Sequence, residues 1–221
     1  MAEVLNLNAL KRMKLNHDPS PWAMCDNTFQ KTISADMFPV SHWTYHSQRK
    51  LAEALGKTGS DEWYQHNVKT RPLLELGETE PYAPDELADI WLVVAEDLLS
   101  DDYRECISDV SEYDVSKLQF QAHFWEFGPG SFFQPHVDKP HKIVTHLMYL
   151  TDDWVPEMGG CLQLLRSADP KDVVVEIAPK KNTSAIIRRT DSAWHAVTSI
   201  PKEMQSVRKV LQVWFWDKPV V

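Results

Sequence analysis

Glycine and cysteine are both scarce in this chain of 221 residues. Only three cysteines occur, and Cys25, Cys106 and Cys161 stand at spacings that match no zinc-binding or redox motif. An odd, unpatterned set of thiols is typical of a reducing compartment, so we expect a cytoplasmic protein without disulfides. Of the seven glycines, four fall between residues 128 and 160, which indicates that the tight turns concentrate there.

Positive charge is in short supply as well, and no apolar run is long. The 23 lysines and arginines are outnumbered by 32 acidic residues, so no global field attracts a nucleic-acid backbone or an anionic membrane. No stretch approaches the roughly 18 apolar residues of a membrane helix, and the N-terminus lacks the apolar core of a signal peptide. We therefore expect a small-molecule partner, with neither nucleic acid nor membrane; the oligomeric state stays open.

The first half of the chain carries apolar residues at helical spacing. Such stretches lie at residues 5–15, at 48–57 and, most regularly, at 85–99, where Pro84 and two acidic residues mark a helix start. A shorter helix is predicted around residues 101–108, and residues 28–38 are predicted to be a strand. Residues 1–117 are thus expected to form a mainly helical N-terminal part.

The second half changes to the alternating period of strands. Short runs rich in β-branched and aromatic residues occur at 118–127, 143–150, 162–165, 173–178, 184–188 and 207–216. Helices followed by six such strands predict an α+β protein in which a double-sheet barrel, close to a jelly roll, is backed by the N-terminal helices. We expect residues 118–221 to form this barrel and to make one integrated domain with residues 1–117.

The segment from Gly128 to Asp138 carries the most informative motif, in which one residue separates His136 from Asp138. On an extended segment both side chains project to the same face and offer two ligands to one metal ion. His195, predicted where a barrel strand meets a loop, is the best candidate for a third ligand. Two histidines and one carboxylate form the facial triad of non-haem Fe(II) oxygenases. A hydrogen-bonded His–Asp pair and a zinc site remain alternatives at this point.

Arg208 is the next candidate, at the start of the last predicted strand. Alternation places Arg208, Gln212 and Trp214 on one face of that strand. On the enclosed face of a barrel, the guanidinium requires an anionic partner, because an unpaired buried charge is very costly. The distal carboxylate of 2-oxoglutarate fits the fork of its donors. Alternation alone equally allows Arg208 to point outward into solvent.

Residues from about 118 to 217 resemble the double-stranded β-helix (jelly-roll or cupin-like) oxygenases that depend on Fe(II) and 2-oxoglutarate, especially the prolyl 4-hydroxylase-like branch. The resemblance rests on elements in the family's order: Gly130, His136 with Asp138, Thr145 with Tyr149, Gly159-Gly160, His195 and Arg208. It implies that His136, Asp138 and His195 hold the iron. It also implies O2 as a cosubstrate, succinate and CO2 as coproducts, and 2-oxoglutarate held by Arg208, Tyr149 and Thr145.

Three positions bear on the substrate that the resemblance implies. Phe133 and Arg208 stand where prolyl hydroxylases often have Tyr and Lys, and Asp138 stands where radical halogenases have Gly. The chain looks more like the branch acting on free amino acids, so we expect hydroxylation, or another C–H oxidation, of a small amino-acid-like metabolite. Three alternatives remain: the same chemistry on a protein side chain, a cupin-like metal enzyme without 2-oxoglutarate, and a jelly-roll binding module without catalysis.

Five further residues are candidates for contacts with the substrate. Glu126 is placed to hold an ammonium group, and Arg71 to hold a carboxylate from a segment over the cavity. Trp194 and Trp216 are placed to wall the cavity, and His141 follows Asp138 closely. Each also has an ordinary explanation as a surface charge, a core aromatic or a loop residue.

Overall fold

The computed structural model describes residues 2–47 and 67–218. Every helix in these ranges is too short or too polar to cross a membrane. The helix predicted at residues 48–57 lies outside the described residues.

Seven strands form the larger of two antiparallel sheets. In chain order they are β1 (Trp22–Cys25), β2 (Thr44–Ser47), β3 (Asn67–Leu74), β4 (Gln119–Phe127), β6 (Lys142–Tyr149), β9 (Ser184–Arg188) and β11 (Arg208–Trp216). Their spatial order is β1-β9-β6-β11-β4-β3-β2. The central strand, β11, pairs with both β4 and β6 along its length.

Four shorter strands form the second sheet. They are β5 (Phe133–His136), β7 (Leu162–Leu165), β8 (Val173–Ile177) and β10 (Trp194–Val197), in the spatial order β5-β10-β7-β8. Apolar residues of both sheets share one core cluster, in which Leu162 and Leu164 of β7 meet Val210 of β11. The predicted double-sheet barrel is confirmed.

The outer face of the larger sheet packs against the helices Leu7–Leu10, Asp89–Leu99 and Asp101–Ser111. Strict alternation along β11 sends Leu211, Val213 and Phe215 into this outer core, while Val210 enters the core between the sheets. The buried carboxylate of Asp97 accepts backbone N–H groups near the N-terminus, which ties that segment to its helix.

The first half, expected to be mainly helical, also supplies three strands that were not predicted from the sequence, because β1, β2 and β3 come from it and complete the larger sheet. These strands form through pairing with distant partners, which local periodicity does not report. The predicted strand at 28–38 is absent: it contains a 3-10 turn at Ala35–Met37, and Phe29 makes only an isolated bridge. The predicted helix at 5–15 shortens to Leu7–Leu10. Strands from residues 1–117 and from residues 118–221 lie in the same sheet, which supports the proposal that the two parts form one integrated domain.

Candidate functional site

Three side chains with metal-ligand chemistry converge at the edge of the smaller sheet. His136 on β5 pairs directly with His195 on β10, and their ring centroids are 4.2 Å apart. Oδ1 of Asp138 lies 4.0 Å from Nε2 of His195. One ligand atom from each residue falls within 4.8 Å of the other two. His195 is the second residue of β10, at the junction of that strand with the loop that follows β9.

Both imidazoles are held by backbone carbonyl groups. Nδ1 of His136 lies 2.8 Å from the carbonyl oxygen of Gln134, and Nδ1 of His195 lies 3.0 Å from that of Ala193. Because a carbonyl only accepts hydrogen bonds, each Nδ1 is assigned the proton and each Nε2 keeps a lone pair. Burial, and to a lesser extent the nearby His195, lower the pKa of His136 to about 3. At neutral pH His136 is therefore in the neutral form that binds metals.

The carboxylate of Asp138 is fixed through both of its oxygens. Lys142 donates from Nζ to Oδ1 at 2.9 Å, and Thr145 donates from Oγ1 to Oδ2 at 3.0 Å. Burial raises the pKa of Asp138, but Lys142 and the two imidazoles outweigh it and hold this pKa below its usual range. The carboxylate is thus ionised. Thr145 was expected at the cosubstrate and here orients Asp138, while Lys142 was missed from the sequence.

Arg208 lies on the enclosed face of the larger sheet and is 1% exposed. Its Cζ atom is 4.7 Å from the ring centroid of Phe127 and 5.3 Å from that of Tyr149. Within the described part of the chain, its Nε and Nη1 atoms and the Tyr149 hydroxyl have no hydrogen-bond partner. Burial lowers the pKa of Arg208, and Tyr149 opposes that change. A buried cation with unused donors requires an anionic ligand.

The three metal-ligand candidates and Arg208 line the same cavity, which has a volume of about 280 Å³. This volume is near the lower end of the range for small-molecule sites. Aromatic rings make up much of the wall: Trp125, Phe127, Phe133, Trp214 and Trp216. Alternation along β11 therefore holds as predicted, with Arg208, Gln212 and Trp214 on the cavity side.

Two of the expected substrate contacts lie on the wrong face of the larger sheet. Glu126 pairs across the strands with Lys69, at 2.5 Å between Oε2 and Nζ, and does not line the cavity. Arg71 is buried, and it donates to the carbonyl oxygens of Ser41 and Pro72 at 3.1 and 2.8 Å. Both expectations are corrected, because these charges are satisfied within the protein.

Of the other three residues expected to contact the substrate, one lines the cavity and two do not. Trp216 lines the cavity, whereas Trp194 and His141 are not part of its lining. His141 is half-exposed, and its Nδ1 atom lies 2.8 Å from a carboxylate oxygen of Asp217. The cavity-lining aromatic residues Trp125 and Trp214 were missed as substrate contacts, although the alternation of β11 already indicated the side on which Trp214 lies.

Comparison with known proteins agrees with this geometry. Residues 119–216 match the family model described as the 2OG-Fe(II) oxygenase superfamily. The match includes all three metal-ligand candidates and Arg208. The protein is accordingly a 2-oxoglutarate-dependent oxygenase that uses Fe(II), 2-oxoglutarate and O2. A search of the curated proteins found no match.

Solved structures of 2OG-Fe(II) oxygenases share the fold. A prolyl-4-hydroxylase from Pseudomonas putida is 19% identical with a TM-score of 0.50, and the match covers 80% of this chain and 93% of that one. An oxidoreductase of the 2OG-Fe(II) oxygenase family from Burkholderia pseudomallei is 13% identical with a TM-score of 0.54, covering 79% and 73%. The resemblance to prolyl-4-hydroxylase-like members is confirmed at the level of the fold.

The residues present also fit the two groups that the superfamily binds. Neutral imidazole nitrogens and an ionised carboxylate on one side of an ion are the ligand set of Fe(II) oxygenases, and they leave coordination positions open. The unpartnered donors of Arg208 face the same cavity and suit a carboxylate.

Proposed function

We propose that this oxygenase hydroxylates a C–H bond of a small metabolite, with Fe(II) held by His136, Asp138 and His195. The observation that carries the proposal is the buried guanidinium of Arg208, whose Nε and Nη1 atoms are unpartnered beside the cavity that also contains the three ligand atoms. A cupin-like metal enzyme without 2-oxoglutarate leaves this costly buried charge unexplained.

Each residue of the site has a distinct task in the proposed reaction. Bound Fe(II) and 2-oxoglutarate supply the oxidising chemistry, which consumes O2 and releases succinate and CO2. Arg208 holds the distal carboxylate of 2-oxoglutarate, with the Tyr149 hydroxyl as a further donor. Lys142 and Thr145 keep the Asp138 carboxylate in one orientation, which preserves the open side of the metal site.

The cavity supports a substrate of small size. Its volume of about 280 Å³ must hold both 2-oxoglutarate and the reacting part of the substrate. Aromatic side chains such as Trp214 and Trp216 exclude water from that space and pack against an apolar body. An amino-acid-like substrate remains a prediction, but Glu126, the residue expected to bind its ammonium group, faces away.

The proposal is tested by the visible spectrum of the metal-free protein, loaded anaerobically with Fe(II) and then with 2-oxoglutarate. We expect a metal-to-ligand charge-transfer band that requires the cosubstrate. Asp138→Ala and Arg208→Ala should abolish it, because the first removes a ligand and the second removes the anchor. Arg166→Ala, at an exposed surface ion pair with Asp18, is the matched control and should keep it. Bound Fe(II) without a band would refute the cosubstrate assignment.

A further inference from the structure

The cavity has a cationic group at each of two separated ends. Arg208 begins β11, and Trp214 lies six residues further along the same face. At about 3.3 Å per residue, the two positions are roughly 20 Å apart. Nζ of Lys142 lies 4.9 Å from the Trp214 ring centroid. Lys142 therefore marks the end of the cavity opposite the proposed 2-oxoglutarate anchor.

Lys142 reaches the cavity because β6 contains a bulge. Phe215 of β11 pairs with Val144, but the next residue, Trp216, pairs with Lys142, so Ile143 is skipped. Plain alternation would send Lys142 to the same side as Val144, into the outer core. The extra residue reverses that direction and brings Lys142 into the cavity lining, with its side chain 14% exposed.

The charges around the cavity favour an anionic substrate. Among the described residues that line it, Lys139, Lys142 and Arg208 are cationic and Asp138 is the one carboxylate. Fe(II) and 2-oxoglutarate carry equal and opposite charges, so binding both leaves this positive excess in place. Lys142 has three N–H donors and uses one on Asp138. An ammonium group on the substrate would lie near the cationic Lys142, and among the described lining residues no carboxylate other than Asp138 could pair with it.

The wall beside Lys142 suits a flat apolar body. Trp125 and Trp214 meet edge to face with ring centroids 5.8 Å apart, and Trp125 stacks on Phe127 at 5.7 Å. Indole rings offer large rigid faces on which another planar group packs. The indole nitrogens of Trp125, Trp214 and Trp216 are buried without a hydrogen-bond partner in the described part of the chain.

We infer that the substrate is a small carboxylic acid with an aromatic or similarly flat apolar body, that Lys142 binds its carboxylate, and that Trp214 and Trp216 pack against the body. The inference rests on the proposed function, because 2-oxoglutarate on Arg208 must already occupy the other end of the cavity. It narrows the predicted substrate class from amino-acid-like metabolites to carboxylic acids. An amino group on such an acid would not contribute to binding.

The first test uses the wild-type protein, saturated anaerobically with Fe(II) and 2-oxoglutarate and showing the charge-transfer band. Isothermal titration calorimetry then compares benzoate, phenylacetate and 3-phenylpropanoate with their neutral amides. We expect the best acid to bind about tenfold to a hundredfold more tightly than its amide, the range for a hydrogen bond to a charged group. 3-Phenylpropylamine should bind more weakly than the amide, and phenylalanine no more tightly than 3-phenylpropanoate.

Variants then assign the preference to Lys142. Lys142→Met keeps the aliphatic stem and should lower acid binding to the level of the amide. Because it also removes the donor to Oδ1 of Asp138 and should weaken Fe(II) binding, Fe(II) is raised until the charge-transfer band is saturated before acid and amide are compared. Lys142→Arg should retain the preference, and Lys171→Met, which makes the same change in net charge at an exposed site, should not alter it.

Three results would overturn the inference: equal binding of acid and amide, no binding of any acid, or a preference that survives in Lys142→Met. The wild-type comparison decides the first two even if the Met variant does not fold. Absence of the band in the wild type would instead refute the proposed function, so the two failures are distinguishable.

Discussion

Replacing Gly160 by alanine tests how closely the Gly159-Gly160 turn holds Arg208 in position. Gly160 has a φ of +65°, and a Cβ atom built on it would lie 2.8 Å from Cδ of Arg208 and 3.3 Å from Cγ1 of Ile200. Contacts below 3.0 Å do not persist, so one group must move. Arg208 is enclosed by Phe127 and Tyr149, and its guanidinium would be displaced within a packed site.

The expected effects have separable magnitudes. An alanine at positive φ costs about 1–2 kcal/mol in backbone strain, which lowers the free energy of unfolding. Displacing the guanidinium weakens one charge-assisted hydrogen bond to 2-oxoglutarate, and we expect the affinity for 2-oxoglutarate to fall about tenfold, or ~1.4 kcal/mol. Fe(II) affinity should stay the same, because the atoms nearest the added Cβ belong to Arg208 and Ile200 and not to a metal-ligand candidate.

The measurement is a titration of 2-oxoglutarate into the anaerobic Fe(II) protein, followed through the charge-transfer band. Gly77→Ala is the matched control: its φ is +80°, but its Cβ would meet only Nε2 of Gln119, at 3.9 Å. It should show a similar loss of stability with unchanged affinity for 2-oxoglutarate. A Gly160→Ala protein that is folded and binds 2-oxoglutarate as the wild type does would refute the reasoning.

Two further predictions concern buried polar groups. His146 is fully buried, which lowers its pKa to about 3, whereas an unfolded histidine titrates near 6.5. As the pH falls, the unfolded state therefore binds a proton at this histidine before the folded state does. The free energy of unfolding decreases below pH 6.5, by about 2 kcal/mol between pH 7 and 5. In urea unfolding experiments, the free energy of unfolding of His146→Gln should fall by about 2 kcal/mol less than that of the wild type between pH 7 and 5. The same pH dependence in both proteins would contradict the prediction. Thr145→Val removes the donor to Oδ2 of Asp138 and should lower Fe(II) affinity about tenfold to a hundredfold, with Thr145→Ser near wild type. Equal Fe(II) affinity in metal titrations of Thr145→Val and wild type would count against this positioning role.

Local patterns were sufficient to identify two of the three metal-ligand candidates, His136 and Asp138, and to group Arg208 with Gln212 and Trp214 on one face of β11. The spacing of His136 and Asp138 is a property of one short segment, and the alternation of β11 runs over nine residues without interruption. Strand geometry shows which side chains share a face, and the structure shows which of the two faces is enclosed. His195 needed the order of motifs along the chain, because no local pattern pairs it with His136.

Features that depend on pairing between strands were not predictable in the same way. Glu126 lies beside Lys69 because of the register between β3 and β4. The sequence of one strand does not specify how it is aligned with its neighbour. Arg71 is satisfied by backbone carbonyls, including that of Ser41, thirty residues earlier in the chain. Short strands such as Trp22–Cys25 likewise form only because a partner strand is present.

Lys142 shows why the same limit applies to the choice of substrate. Counted by alternation from Thr145, which lines the cavity, Lys142 belongs on the outer face; only the skipped Ile143 turns it inward. A bulge is defined by two residues facing one across a pair of strands, so periodicity within β6 cannot reveal it. The method that places Arg208 correctly therefore misplaces Lys142. The binding of Fe(II) and 2-oxoglutarate follows from motifs, whereas the charge that we infer for the substrate follows from a distortion of the sheet.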